Sequence, residues 1–158
     1  MKKITPFPVS VSHTVTPSAP HIDEKILPQV GLAFMQLEHD QIIRRLKGLE
    51  VLIVRLEAGE SVTLQITSDI EGMLEHTRSH FLREEENMKR YHYLPRRDHK
   101  AAHDEFLAEM TTAHEQWREA QNLSALKLYF LVQVPAWFMQ HLNSMDLVTA
   151  RFLARQNA

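Results

Sequence analysis

The chain of 158 residues contains no cysteine and only four glycines. The lack of cysteine excludes disulfide bonds, iron–sulfur clusters and zinc sites with thiolate ligands. Five of the seven prolines lie within residues 1–28, so the rest of the chain has room for long helices. We therefore predict an irregular N-terminal arm over residues 1–28 and one domain over residues 29–158, which is long enough to bury a hydrophobic core.

A strong charge of one sign and long apolar runs are also absent. The formal net charge is −2 with the histidines neutral, which gives no electrostatic footprint for nucleic acid. No apolar run reaches the roughly 18 residues of a transmembrane helix. Pro6 and Pro8 interrupt the stretch in which a signal peptide would need an apolar core. We expect a cytoplasmic protein with no nucleic-acid or membrane partner, and the sequence identifies no protein partner.

From residue 30 onward, apolar residues recur at steps of three and four, the spacing of helices packed in a bundle. Helices are predicted to begin near Val30, after an N-cap at Ser61, near Arg96 or Asp98, and at an N-cap at Ser124. The predicted inward stripes run from Met35 through Ile53 to Leu56 in the first helix and from Ile66 to Met88 in the second, and the stripe of the fourth ends with Met145, Val148 and Phe152. Gly59 would end the first helix, and Pro135 would kink the fourth. Short connections between four helices predict an all-α fold, an up-down-up-down antiparallel four-helix bundle.

Ten histidines are present, and several lie on the predicted inner faces of these helices. Six polar residues take positions in otherwise apolar stripes: His39, His80, Glu84, His99, His103 and His141. One such histidine alone is ordinarily a hydrogen-bonded core residue, and one His-x-x-x-Glu pair can lie on a helix surface. Because unpaired buried polar groups cost a few kcal/mol each, a cluster on all four inner faces indicates a shared metal instead.

Ligand arithmetic indicates the kind of metal site. With Asp146 added, five histidines would supply five bonds, two bridging carboxylates four, and a bridging oxide or hydroxide two. Eleven of the twelve positions on two six-coordinate metals would then be filled, and one would stay open. An open position on a histidine and carboxylate site suits iron and oxygen chemistry, whereas zinc usually prefers four ligands.

Three motifs and one histidine carry a family resemblance over about residues 30–156. The motifs are His80-Phe81-x-x-Glu84-Glu85-x-x-Met88, His99-x-x-x-His103-x-x-Phe106, and Trp137-x-x-x-His141 with Asp146 five residues later. They resemble the second-, third- and fourth-helix signatures of the hemerythrins, in particular the bacterial hemerythrin-like domains. His39 stands where the first-helix ligand of that family belongs.

The resemblance implies a di-iron centre, two Fe ions (Fe²⁺/Fe³⁺) joined by a bridging oxide or hydroxide. One iron would bind three histidines, the other would bind two and keep the open position, and two carboxylates would bridge. The resemblance implies that the first iron binds His99, His103 and His141, that the second binds His39 and His80, and that the bridging carboxylates are Glu84 and Asp146. The implied function is reversible binding of dioxygen at the two-histidine iron, for storage, delivery or sensing. Azide, nitric oxide or peroxide would be other small ligands.

Two alternatives to an oxygen-binding protein stay open. One is a di-iron enzyme or sensor that processes peroxide or nitric oxide. The ferritin-like kind of enzyme is disfavoured because no histidine has Glu three residues before it. The other is a structural or interaction bundle, which the polar stripes disfavour.

The sequence departs from the family pattern at supporting positions. Met35-Gln36 replaces the usual Ile-Asp, and His92-Tyr93-Leu94 replaces the usual Gly-Tyr-Pro turn. Asp146 also raises a geometric question, because a five-residue step turns a side chain about 140° around an ideal helix. Either the two ligands converge from the flanks of the stripe, or the helix contains a wider π-type turn.

The remaining histidines and neighbouring residues carry weaker predictions. His76 supports the site from outside, belongs to an altered ligand set, or is a partly exposed polar residue. Solvated positions are predicted for His92, His114, Glu85 and Glu86, and ligand roles are not expected for His13 and His21. The oxygen pocket is predicted to be walled by Met35, Phe81, Phe106, Trp137, Leu142 and Met145.

Overall fold

The computed structural model describes residues 32–156, and these residues form helices and connecting turns without strands. The first three helices are α1 (Ala33–Glu57), α2 (Thr63–Arg90) and α3 (Arg96–Ala120). The fourth, α4, is a continuous helical run over residues 123–155. It consists of α-helical Leu123–Lys127, π-helical Leu128–Gln133, α-helical Val134–His141, π-helical Leu142–Asp146 and α-helical Leu147–Arg155.

The described helices form the predicted all-α bundle, with α1 packed on α2 and α2 packed on α3. The apolar stripes meet in one continuous core, in which Met35, Leu49, Ile70 and Phe130 are completely buried. The predicted arm over residues 1–28, with His13 and His21, lies outside the described residues.

No helix in residues 32–156 has an apolar stretch long enough to cross a membrane.

The turns between helices follow local chemistry, although two predicted N-caps are wrong. Gly59 follows the end of α1 with φ +89°, a left-handed conformation that favours glycine. Helix α2 begins at Thr63 without a side-chain cap, so Ser61 does not fill that role. Asn122 rather than Ser124 caps α4, because its side chain accepts a 3.0 Å hydrogen bond from the Ala125 backbone N–H.

The π-helical segments change which residues of α4 face the core. The predicted stripe includes Met145, Val148 and Phe152, but Val148 is 50% exposed. The buried positions lie one residue later, at Asp146, Thr149 and Leu153. A π-helical turn accommodates one extra residue, so the inward face shifts by one position after Leu142–Asp146. The other π segment, Leu128–Gln133, ends just before Pro135, which lacks the N–H that an α-helix would use there.

Candidate metal centre

The bundle brings all seven predicted ligand residues into one buried cluster. Helix α1 supplies His39, α2 supplies His80 and Glu84, α3 supplies His99 and His103, and α4 supplies His141 and Asp146. None of the seven is more than 5% exposed. The cluster therefore lies in the core, among the apolar stripes that the helices turn toward each other.

Three histidines and one carboxylate form the first part of the cluster. Nε2 of His141 lies 3.0 Å from Nε2 of His99 and 3.2 Å from Nε2 of His103. Oδ1 of Asp146 lies 2.9 Å from His141 Nε2 and 3.0 Å from His99 Nε2. Ligand atoms about 2.1 Å from one metal and at right angles to each other are about 3.0 Å apart. This spacing therefore suits adjacent ligands of one metal ion.

The second part of the cluster contains His39, His80 and the same aspartate. One nitrogen from each histidine and one oxygen of Asp146 lie within 4.8 Å of one another. Oδ2 of Asp146 is 3.0 Å from Nε2 of His39. Asp146 therefore directs one oxygen to each group of histidines, which is the arrangement a bridging carboxylate requires.

Glu84 lies between the two groups. Its Oε2 is 3.4 Å from His103 Nε2, 3.8 Å from His80 Nε2 and 3.9 Å from His99 Nε2. Both of its oxygens are buried without a hydrogen-bond partner, as is Nδ1 of His39, whereas Nε2 of His39 faces Asp146 Oδ2 at 3.0 Å. Buried polar atoms without partners are costly, and a cation bound between these side chains would satisfy them together.

Burial favours the neutral form of two clustered histidines, His80 and His103. It lowers the pKa of His103 to about 2, helped by the neighbouring His99 and His141. Burial also lowers the pKa of His80, although the hydrogen bond to Glu38 opposes the shift. A neutral imidazole presents an unshared electron pair on one nitrogen, so these side chains are ready to bind a metal.

The pKa values of the two carboxylates are shifted in opposite directions. Burial raises the pKa of Glu84 well above its usual value, and repulsion from Asp146 adds to the shift. Burial alone would also raise the pKa of Asp146, but hydrogen bonds from the neighbouring histidines, led by His141, hold it well below its usual value. A bound cation would favour the charged form of Glu84 and so reverse its shift.

A layer of hydrogen-bond acceptors surrounds the histidines. Nδ1 of His80 donates to Glu38 Oε2 at 2.5 Å, and Nδ1 of His103 donates to Glu85 Oε1 at 3.0 Å. Nδ1 of His99 lies 2.9 Å from the Thr149 hydroxyl. The two carboxylate contacts fix which nitrogen of His80 and of His103 carries the proton and which could bind a metal, whereas the Thr149 hydroxyl can donate or accept.

Two of these acceptors, Glu38 and Glu85, were not predicted from the sequence as supporting residues. Glu38 is 5% exposed. Burial raises the pKa of Glu38. The hydrogen bond from His80 and the charge of Arg83 lower this pKa by a larger amount, so the net shift is downward. The prediction that Glu85 is solvated is wrong, because its side chain is only 17% exposed and contacts His103. Burial raises the pKa of Glu85, with Lys100 opposing the shift.

Aromatic rings hold two of the histidines in place. Phe81 stacks on His103 with ring centres 3.7 Å apart, and Trp137 stacks on His141 at 4.3 Å. Phe106 in turn stacks on Trp137 at 3.9 Å. These contacts restrict ring rotation and keep water away from the cluster.

A small cavity of about 10 Å³ lies beside the cluster. It is lined by Ile42, Thr77, His80, Phe81, Phe106, Val134, Trp137, Phe138, His141 and Asp146. The volume corresponds to roughly one water-sized molecule. Of the six residues predicted to wall an oxygen pocket, Phe81, Phe106 and Trp137 line this cavity, whereas Met35, Leu142 and Met145 do not.

The other described histidines lie outside the cluster. Nε2 of the half-buried His76 is 3.3 Å from the backbone carbonyl of Glu38, so it contacts the outer layer. His92 is exposed, as predicted. The prediction that His114 is solvated is wrong, because it is 9% exposed and lies 3.3 Å from Glu71 Oε1.

The donor set fits iron. Imidazole nitrogens and carboxylate oxygens suit non-haem iron, and the cysteine-free chain supplies no thiolate that would favour softer metals or clusters. The two histidine groups share Asp146, which favours two metal ions over one.

Comparison with known proteins gives one informative similarity. The chain is 24% identical over 127 residues to Bacteriohemerythrin of Aquifex aeolicus (strain VF5), a match that covers 79% of this chain and 92% of that protein. No family model matches the chain, and no solved structure matches it. Together, this similarity and the buried histidine and aspartate groups support a hemerythrin-like, metal-binding helical bundle.

Proposed function

We propose that this chain is a non-haem di-iron protein that binds dioxygen reversibly, for storage, delivery or sensing. The main support is the position of Asp146, whose Oδ1 approaches His99 and His141 while Oδ2 approaches His39. A carboxylate shared in this way is suited to hold two metal ions side by side.

In the proposal, three histidines hold one iron and two hold the other. His99, His103 and His141 form the first set, and His39 and His80 form the second, with Glu84 and Asp146 as bridges. When bound, the iron pair would supply the electrons and the open position that oxygen binding needs. The cavity is bordered by His80 of the two-histidine set, His141 of the three-histidine set and the shared Asp146, which supports room for one small molecule beside the two metal positions.

The protein's own contribution is to exclude water and limit the size of the ligand. Phe81, Phe106 and Trp137 form an aromatic wall on the cavity. Thr77, the hydroxyl residue in the lining, donates its proton to the Met73 carbonyl at 2.8 Å. The hydroxyl proton of Thr77 is therefore not available to a ligand in the cavity. A dry, narrow pocket favours a diatomic ligand and would slow the proton-assisted loss of bound oxygen as peroxide, which would leave the metal oxidised.

Anaerobic reduction followed by exposure to oxygen tests this proposal. We expect a visible absorption band that appears with oxygen, persists, and disappears when oxygen is removed. Rapid decay to a ferric spectrum, or steady turnover of added peroxide or nitric oxide, would reject the carrier in favour of the enzyme or sensor. A spectrum that responds to none of oxygen, peroxide and nitric oxide would reject both.

A further inference from the structure

Two histidines of the cluster are connected to the protein surface by the same three-part arrangement. In the first, Glu38 links His80 to Arg83, with its Oε2 2.5 Å from Nδ1 of His80 and its Oε1 2.6 Å from Nη1 of Arg83. The carboxylate is buried, whereas the Arg83 side chain is 54% exposed. The guanidinium therefore reaches in from the surface of α2 to hold a carboxylate of α1.

The second arrangement links His103 to Lys100 through Glu85. Oε1 of Glu85 is 3.0 Å from Nδ1 of His103, and its Oε2 is 3.5 Å from Nζ of Lys100. Lys100 also approaches Asp104 at 2.7 Å, so its charge is shared between two acids. This second link is therefore looser than the one through Arg83.

The chemistry of imidazole gives these links a purpose. An ionised carboxylate only accepts hydrogen bonds, so Nδ1 of His80 must carry its proton when it faces Glu38. Nε2 is then left without a proton and can bind a metal. A carboxylate held on one oxygen only could rotate, and rotation would release this control over the imidazole.

We propose that Arg83 is a positioning residue for the metal centre: by holding Glu38, it keeps the proton of His80 on Nδ1 and leaves Nε2 free to bind iron. Lys100 acts in the same way on His103 through Glu85, with a smaller effect. The proposal rests on the proposed di-iron function, but the control of the His80 proton operates in the metal-free protein as well.

Imidazole ¹⁵N NMR on the metal-free protein tests the role of Arg83 without iron. In the wild type and in the matched control Arg78→Gln, an exposed arginine of the same helix, His80 should be the Nδ1–H tautomer. In Arg83→Gln a fraction of His80 should shift to the Nε2–H tautomer, and Arg83→Lys should restore the wild-type spectrum in part. A tautomer unchanged in Arg83→Gln, or equally changed in Arg78→Gln, would overturn the proposal.

Iron release to a chelator provides the second readout. Removing an outer-layer partner of a ligand typically costs 10- to 100-fold in metal affinity. We expect Glu38→Gln to lower iron affinity roughly 10- to 100-fold, Arg83→Gln to lower it about tenfold, and Lys100→Gln to lower it by less than that. Equal release rates in Arg83→Gln and Arg78→Gln would contradict the proposal. A wild-type protein that takes up no iron would reject the di-iron function alone, because the tautomer measurement still tests Arg83.

Discussion

Asp146 lies five residues after His141, yet its Oδ1 is 2.9 Å from the Nε2 of that histidine. On an α-helix this step would turn the second side chain away by about 140°. The π-helical segment Leu142–Asp146, with hydrogen bonds over five residues, returns Asp146 to the inner face. Of the two geometries that the sequence left open, the wider turn is therefore the one present.

Removing one residue from this segment should separate stability from metal binding. Deletion of the exposed Ser144 would convert the turn to α-helix, so that Asp146 would follow His141 by four residues and its carboxylate would take a different position relative to the histidines. Thr149 and Leu153 would keep their buried positions. We expect the thermal stability of the metal-free protein to be retained or raised, and iron affinity to fall at least tenfold, roughly as for a lost supporting contact.

Thermal unfolding and chelator competition measure these two effects. Ser144→Ala is the control, because it keeps the length of the segment. Wild-type iron affinity in the deletion variant would show that the π-helical turn has no role in the site.

Replacing one histidine of the cluster should lower metal content more than replacing one outside it. His103→Ala removes a nitrogen that lies 3.2 Å from His141 Nε2 and 3.4 Å from Glu84 Oε2. We expect iron content well below that of the wild type, measured by elemental analysis after reconstitution. The control is His92→Gly, which removes an exposed histidine and suits the left-handed φ of 54° at that position. Equal iron content in the two variants would contradict the assignment.

Glu84 should make the metal-free protein less stable as the pH rises. Its folded pKa is raised well above the usual 4.5, so above about pH 4.5 the unfolded chain loses a proton that the folded protein retains. Stability should therefore fall with rising pH from about 4.5 up to the folded pKa. In Glu84→Gln this component is absent.

Urea unfolding of chelator-treated protein at pH 5 and pH 8 measures the effect of Glu84. The buried histidines shift stability in the opposite direction below about pH 6.5, because their folded pKa values are lowered. Both proteins contain these histidines, so their contribution cancels in the difference in unfolding free energy between Glu84→Gln and the wild type. This difference should favour Glu84→Gln more at pH 8 than at pH 5. A difference independent of pH would show that Glu84 ionises normally in the folded protein.

Enlarging the cavity by one methyl group should speed the exchange of small ligands. Ile42 lines the cavity, whereas the equally apolar Ile43 is fully buried and does not. Each Ile→Val change should cost about 0.5–1.5 kcal/mol of stability. Only Ile42→Val should shorten the lifetime of a bound ligand, measured by azide displacement in stopped flow. Equal rates in both variants would show that the cavity is not the ligand pocket.

The helices and their inner faces followed from sequence because burial imposes a regular spacing. The stripes of α1 and α2 are confirmed from Met35 to Ile53 and from Ile66 to Met88. The stripe of α4 was wrong by one residue after Asp146, because a π-helical turn has no spacing signature in apolar residues alone. The only sign of it was the five-residue gap between His141 and Asp146.

The supporting residues were harder to predict than the clustered ones. Glu38 directly precedes the predicted ligand His39, and Glu85 directly follows the predicted ligand Glu84. Each glutamate therefore lies beside the inner face of its helix and not on it. Whether such a residue turns inward depends on its partner on another helix, here His80 or His103. His114 became buried for a similar reason, since the adjacent helix supplies Glu71. Contacts between helices are not encoded in the spacing within one helix.

The number of iron ions per chain tests the central claim most directly. The wild-type protein should be purified, reconstituted anaerobically with Fe²⁺, freed of excess metal, and measured for iron and protein by independent methods. The two histidine groups sharing Asp146 predict about two irons per chain. One iron per chain, or none, would contradict the proposed di-iron centre.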